Sequence, residues 1–162
     1  MSKYTVQNET KSMVTEIIDS GLPFPEMLEE YRTLQLPANL DDLSDIELGK
    51  HLSQWASIFS RAKFELAQAI SDQIVLSAKK KTFKTKKEAS MPVKAKVTVE
   101  KAKIESDEYY LDLTAKETQA TVRIKLLEAL CAGYDRKFSA ISREIERRRQ
   151  DKNKWFRGGV GA

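Results

Sequence analysis

The chain is poor in the residues that most often build catalytic and metal sites. Cys131 is the single cysteine and His51 the single histidine among 162 residues, so no disulfide framework and no cluster of histidine ligands can form within one chain. Glycine occurs six times and proline four times, and no phosphate-binding loop or dinucleotide fingerprint is present. The sequence therefore predicts a protein that is not an enzyme, with no catalytic residues, no metal site and no cofactor.

Long apolar runs are missing as well. No run reaches the roughly 18 apolar residues that a membrane helix needs, and residues 1–30 lack the apolar core of a signal peptide. Together with the lone cysteine, these absences predict a soluble, cytoplasmic protein with no membrane partner.

Two apolar stripes with heptad spacing are the strongest feature that the sequence does contain. The first comprises Leu48, Leu52, Trp55, Phe59, Ala62, Leu66 and Ala69, continued by Gln73 and Leu76. The second comprises Ala120, Ile124, Leu127, Cys131, Tyr134, Phe138, Ile141 and Ile145. Alternating steps of three and four residues keep one narrow seam facing a partner helix. The stripes predict an all-α fold with two long antiparallel helices, a helical hairpin, and place Cys131 as a buried thiol.

Capping signals predict where these helices begin. Residues 44–47 (Ser-Asp-Ile-Glu) and residues 114–117 (Thr-Ala-Lys-Glu) both match the capping box. The first helix is expected to end at about Lys80, with residues 78–87 as a possible continuation, and the second stripe ends at Ile145. We place the hairpin at residues 43–157, with a basic insert at 79–113 and a flexible tail at 158–162.

The N-terminal 42 residues are predicted to form an acidic head of short helical pieces. Residues 1–47 carry a net charge of −7. A small apolar face of Val14, Ile17 and Ile18 stops at Gly21, and Pro25 can open a second short helix. Apolar residues of that helix are Met27, Leu28, Tyr31 and Leu34, and Pro37 ends it. The head either docks on another protein or caps the bundle, and its carboxylates either meet a second protein or the chain's own basic blocks.

Positive charge is concentrated in two blocks. Residues 79–103 have a net charge of +8, and residues 136–162 have a net charge of +6. After the Met91-Pro92 break, apolar and polar residues alternate over 93–99, which favours an extended or strand-like arm that could pair with a second copy. Segregated charge of this kind points to a polyanionic partner.

Nucleic acid is the polyanion that the pattern favours, because lysines neutralise phosphates and aromatic rings stack on unpaired bases. Lysine in place of arginine argues against base-specific contacts. The predicted contact residues are Lys79, Lys80, Lys81, Phe83, Lys84, Lys86, Lys87, Lys94, Lys96, Lys101, Lys103, Arg147, Arg148, Arg149, Lys152, Lys154 and Trp155. The alternative is a structural or assembly protein that uses its helical seams and basic arm to bind other proteins.

A pair of helices buries only one stripe on each, so further apolar residues should stay exposed in a monomer. These are Leu126, Leu130, Ile58 and Val75. Exposed apolar positions of this kind predict a homo-oligomer.

The order of elements over residues 40–157 resembles the recombination mediator proteins of T-even-type bacteriophages. The shared features are a long helix with a central tryptophan (Trp55), a basic stretch, a polar connection and a second long helix. Within that second helix, residues 126–133 (Leu-Leu-Glu-Ala-Leu-Cys-Ala-Gly) look like the family's leucine-rich segment ending in Cys-x-Gly.

The family's DNA-contacting motif, a Lys-Ala-Arg step flanked by leucines, is matched at Lys94 and Lys96. Here valines replace the leucines, Lys96 replaces the arginine, and the head is longer than in the family. The resemblance implies a mostly helical ring that binds single-stranded DNA and helps to load a recombinase onto DNA covered by single-strand-binding protein. A phage-encoded member would act in the host cytoplasm.

Overall fold

The structure, a computed structural model, describes residues 3–24, 34–37, 39–90 and 102–158. Its elements are α1 (Lys3–Asp19), the short 3-10 helix η1 (Leu40–Asp42), α2 (Asp45–Ala89) and α3 (Glu108–Gly158). Residues 102–105 add one helical turn. The described residues contain helices and no strand, so the predicted all-α class is confirmed. None of their helices is both long and apolar enough to cross a membrane.

The two long helices pack against each other in antiparallel directions. Along α2, Glu65 pairs with Arg123, Gln73 donates to Thr121, and Lys87 pairs with Asp107. Residue numbers along α3 therefore decrease as those along α2 increase, as expected for the predicted antiparallel hairpin. The chain divides into two compact units, residues 1–63 with 129–162 (unit 1) and residues 64–128 (unit 2).

The core of unit 1 lies where α1 and the first half of α2 meet α3. Trp55, Leu48 and Ile141 are fully buried, and the Trp55 ring lies 5.7 Å from the Tyr134 ring. Every position of the predicted seams is buried or half-buried in the unit to which it belongs. Cys131 is buried as expected, and this burial raises the pKa of its thiol.

The end of α1 explains how the head is fastened to this core. Gly21 has φ +83°, the left-handed conformation that closes many helices. The Gly21 N–H donates to Ile18 O and the Leu22 N–H to Ile17 O, at 2.7 and 3.4 Å. Ile17 and Leu22 are both buried, and the Tyr134 hydroxyl donates to Pro23 O at 2.7 Å. The prediction that the apolar face of Val14, Ile17 and Ile18 ends at Gly21 is therefore confirmed. Most of the predicted second head helix, residues 25–33, lies outside the described residues.

Unit 2 is held by a thinner apolar core with polar contacts along the seam. Ala69, Ile124 and Leu127 are buried on the facing helices, while Ile104 and Leu113 are buried near the start of α3. The contacts from Gln73 to Thr121 and from Lys80 to Glu117, both 2.8 Å, continue the seam toward the end of α2.

The first predicted capping box is confirmed and the second is wrong. The Ser44 N–H donates to Glu47 Oε2 at 2.8 Å, and the Glu47 N–H donates to Ser44 Oγ at 3.3 Å. Thr114, by contrast, lies inside α3, where its hydroxyl donates to Tyr110 O at 2.8 Å. α3 begins at Glu108, and Asp107 accepts the Tyr109 N–H at 3.1 Å. Asp107 thus supplies the cap that had been assigned to Thr114.

Two further expectations need correction. α2 continues to Ala89 instead of ending near Lys80, so the alternative of a continued helix is correct and residues 79–89 of the predicted insert belong to α2. Leu130 was expected to be exposed but is buried, with 5% of its surface exposed. Ile58 and Leu126 are half-buried, and Val75 is exposed as predicted. The predicted strand-like arm at 93–99 lies outside the described residues.

Candidate nucleic-acid interface

The last turns of α2 carry six lysines, and the helix divides five of them into two sets. Extending the first seam past Leu76 in steps of four and three leads to Lys80 and Lys87, which face α3. Lys79, Lys81 and Lys86 are exposed, and none of the three forms an ion pair with another described residue. We call these three the outward lysines.

Lys80 is occupied by a contact to α3. Its Nζ donates to Glu117 Oε2 at 2.8 Å, and Ser77 Oγ donates to the other oxygen of that carboxylate. The hydrogen bond from Lys80 lowers the pKa of Glu117, and the same bond raises the pKa of Lys80. Lys80 also lies 5.2 Å from the centre of the Tyr110 ring. Its charge stabilises the seam and is only partly available to an outside ligand.

Lys87 is occupied in a similar way. Its Nζ lies 3.0 Å from Asp107 Oδ2, and this hydrogen bond is the main reason that the pKa of Asp107 is lowered. The same carboxylate accepts the Tyr109 N–H at the start of α3. Lys87 therefore fixes the first turn of α3. Lys84 is half-buried, 4.0 Å from Glu88 Oε1, a weak contact one turn away.

An aromatic cluster lies between two of the outward lysines, Lys79 and Lys86. The ring centres of Phe83 and Tyr109 are 5.1 Å apart at an interplanar angle of 60°, the edge-to-face arrangement that aromatic pairs favour. Beside them is a groove of about 410 Å³, which we call the aromatic groove. It is lined by Val75, Ala78, Lys79, Thr82, Phe83, Lys86 and Tyr109. Two outward lysines and two aromatic rings thus share one surface of unit 2.

Sequence reasoning selected Phe83 for this surface but missed Tyr109. Tyr109 belongs to an acidic stretch, and its role depends on α3 starting at Glu108, before the expected Thr114. A signal was nevertheless present, because Phe83 falls on the extended first seam and must therefore meet a residue of the opposite helix.

The second predicted basic contact, at the end of α3, is paired within unit 1. The Arg147 guanidinium contacts Asp41 and bonds both oxygens of Glu144 at 2.8 Å. Arg148 bonds Glu144 at 2.6 Å and the Leu43 carbonyl at 2.7 Å. Hydrogen bonds from these two arginines lower the pKa of Glu144 to about 2, and the bond from Arg147 makes the larger contribution.

Acidic residues at the start of α2 and just before it complete this cluster, which we call the head–arginine cluster. Asp45 accepts hydrogen bonds from Lys152 at 2.6 Å and from Arg148 at 3.0 Å. Both bonds lower the pKa of Asp45, and the bond from Lys152 makes the larger contribution. Leu40 O accepts a further bond from Arg148 at 3.0 Å. From the sequence, the head carboxylates could meet either a second protein or the chain's own basic blocks. Asp41 meets the chain's own basic block, because it contacts Arg147.

The remaining predicted contacts are more loosely placed. Arg149 and Lys154 lie 3.8 and 3.7 Å from Glu146 and Asp151. Trp155 is 84% exposed. Lys103 is exposed, whereas Lys94, Lys96 and Lys101 lie outside the described residues.

The outer side of α2 in unit 2 carries a second stripe without charge. Its residues are exposed and recur every three or four positions, at Phe64, Ala67, Ser71, Ile74, Val75 and Ala78. Phe64 is 62% and Ile74 is 64% exposed. We call this set the outer stripe. Nearly a third of the whole chain is charged, so an uncharged face with large apolar side chains is suited to contact with protein.

Within the part of the chain that the structure describes, no group of three or more His, Cys, Asp or Glu side chains could hold a metal ion. Comparison of the chain with family models, with curated proteins and with solved structures finds no match in any of the three.

Proposed function

We propose that this protein is a non-catalytic, oligomeric single-stranded-DNA-binding protein. The observation that carries the proposal is the set of outward lysines. These are three exposed ammonium groups on one helix end, each without an ion pair to another described residue, and two of them, Lys79 and Lys86, line the aromatic groove. Free ammonium groups on a rigid helix can neutralise phosphates and release counterions without first breaking an internal ion pair.

The test is binding of fluorescent single- and double-stranded oligonucleotides over a series of salt concentrations. We expect tighter binding to the single strand and a linear decrease of log K with log salt. Absence of binding to either oligonucleotide at low salt would remove nucleic acid from consideration.

The proposed cellular role, taken from the resemblance to the phage mediators, is to help a recombinase displace single-strand-binding protein. The protein should then shorten the lag of recombinase filament assembly on DNA that is covered by single-strand-binding protein. It should leave assembly on bare DNA largely unchanged. A variant that lacks the outward lysines is the control, and equal lags with and without the wild-type protein would count against this role.

Self-association is proposed to use the outer stripe from Phe64 to Ile74, which leaves Val75 and Ala78 to the aromatic groove. Phe64 and Ile74 are too exposed to stabilise the single chain, and their side chains would leave water in an oligomer. Sedimentation velocity of Phe64→Ser with Ile74→Ser should show a smaller species than the wild type. Ile46→Ser is a matched control, because Ile46 is 72% exposed on the first turn of α2, outside the outer stripe. A wild-type monomer would overturn the proposal.

The outer stripe also favours the second candidate, an assembly protein that binds other proteins. In that case the outward lysines would bind acidic protein surfaces. The two candidates differ in a competition experiment: protein retained on heparin should be released by single-stranded DNA if DNA is the ligand, and should stay bound if it is not.

A further inference from the structure

We propose that the aromatic groove holds one unstacked nucleobase of a bound single strand against the Tyr109 ring, with the flanking phosphates at Lys79 and Lys86. This inference rests on the proposed function and adds a base-binding subsite to it. It also makes Tyr109 a contact residue and Lys87 a positioning residue.

The surface of the groove suits a flat, uncharged ring. Tyr109 is 50% exposed and Val75 is 50% exposed, so both offer apolar surface to a ligand. Phe83 meets Tyr109 edge-to-face, an arrangement that leaves ring surface uncovered. None of the seven described lining residues is acidic, so no lining carboxylate repels the phosphates on either side of the base. Stacking on such a ring does not depend on which base is present.

The backbone that carries Tyr109 is fixed before any ligand arrives, and the Tyr109 ring is in contact with Phe83. The Tyr109 backbone N–H donates to Asp107 Oδ1 at 3.1 Å, and Lys87 Nζ lies 3.0 Å from Asp107 Oδ2. Lys87 also lies 5.3 Å from the centre of the Phe83 ring, so one lysine contacts both supports of the groove. A platform that is already ordered loses little conformational entropy when a base stacks on it.

The spacing of the two lysines fits a strand that runs along α2. Lys79 and Lys86 are seven residues apart, which is two turns or about 10.5 Å of helix. Thr82 and Phe83 lie between them on the same surface. A phosphate at each lysine would place the intervening base over the groove. In a duplex that base is paired and stacked, so the subsite should favour single strands.

The experiment combines a protein variant with a change in the ligand. Wild type and Tyr109→Leu are titrated with oligo-dT and with an abasic oligomer of the same length, which keeps the phosphates and lacks the bases. We expect wild type to bind oligo-dT about 5- to 150-fold more tightly than the abasic oligomer, the range for one stacked base. Tyr109→Leu should lose most of this preference, and Tyr109→Phe should keep it.

Each remaining outcome has a distinct meaning. Equal wild-type affinity for the two oligomers, with a normal salt dependence, would overturn the base subsite and leave DNA binding intact. A preference that survives in Tyr109→Leu would overturn the assignment to this groove. Binding to neither oligomer would overturn the proposed function itself. Circular dichroism of Tyr109→Leu checks that its helices are intact, and Phe83→Leu provides an independent test of the same groove.

The positioning role of Lys87 needs a separate readout. Lys87→Met should weaken oligo-dT binding more than binding of the abasic oligomer, because it releases Asp107 and the Tyr109 platform. Lys86→Met, the matched control, should weaken both by the same factor. Equal losses for both oligomers in Lys87→Met would instead make Lys87 a phosphate contact.

Discussion

The ends of α2 and α3 carry similar charge in the sequence but differ in how much of it is free. Six lysines lie between residues 79 and 87, and three of them, the outward lysines, have no ion pair to a described residue. At the end of α3, Arg147, Arg148 and Lys152 are bound by carboxylates and by backbone carbonyls at the start of α2 or just before it. A phosphate can approach the first set directly, whereas at the second it must displace carboxylates. The number of cations in a segment therefore does not measure its capacity to bind a polyanion.

The largest expected effect comes from removing the free charge. The triple variant Lys79→Ala, Lys81→Ala, Lys86→Ala should lower the slope of log K against log salt by about 2, since each lysine–phosphate contact with a single strand contributes about 0.7. Affinity for single-stranded DNA at about 0.1 M salt should fall by about 100-fold. Fluorescence anisotropy measures both. The corresponding control is Arg147→Gln with Lys152→Gln, and an equal loss in that variant would abolish the distinction between the two helix ends.

The converse change should free the bound charge at the end of α3. Asp45→Asn removes the carboxylate that holds Lys152, whereas Arg147 keeps its bonds to Glu144. If Lys152 then reaches DNA, the salt slope should steepen by about 0.7 and the affinity should rise by about 5-fold. Asp42→Asn, in the segment before α2, is the control and should change nothing. An unchanged affinity in Asp45→Asn would mean that Lys152 is not part of the DNA-binding surface.

An effect of similar size separates two neighbouring lysines. Lys79→Ala should reduce single-strand affinity by about 5-fold and leave thermal stability unchanged, because Lys79 has no ion pair to a described residue. Lys80→Ala should leave affinity nearly unchanged but lower the Tm, because Glu117 loses its partner. Anisotropy and thermal melting followed by circular dichroism distinguish the two. Reversed results would show that the seam contacts open when DNA binds.

The smallest effect on DNA binding is expected from Glu144→Gln, which changes how the stability of the fold depends on pH. The pKa of Glu144 is lowered to about 2 from an ordinary value of 4.5. A lowered carboxylate pKa stabilises the folded state fully above about pH 4.5, and this contribution disappears as the pH falls toward 2. Glu144→Gln should therefore reduce Tm at neutral pH and flatten its decline below pH 4.5. Parallel curves for Glu144→Gln and wild type would contradict the ion-pair assignment.

The heptad pattern was sufficient to predict the helices and their seam. Leu48, Trp55 and Ile141 occupy the expected buried positions because a period of three and four residues allows one packed face on a helix. The boundaries were harder to predict. Lysine is a good helix former, so nothing in residues 80–89 stops α2. At Thr114 the local capping signal was misleading, because Asp107 caps a helix that begins about two turns earlier.

The candidate site was predicted only in part, because ion pairing is a tertiary property. Lys79 and Lys80 are adjacent and identical in sequence, and only the position of Glu117 on the opposite helix separates them. The same holds for Arg147, whose partner Asp41 is more than a hundred residues away in sequence. Phe83 could be selected from its basic surroundings, but Tyr109 required knowledge of where α3 begins.

The positions of the two tryptophans have a practical consequence for spectroscopy. Trp55 is fully buried and Trp155 is 84% exposed, and both belong to unit 1. Tryptophan emission will therefore report on unit 1, with a collisional quencher reaching Trp155 and sparing Trp55. Circular dichroism at 222 nm will report on both units together. If the two signals change at different denaturant concentrations, the units unfold separately, and the unfolding of each unit can be followed with no added label.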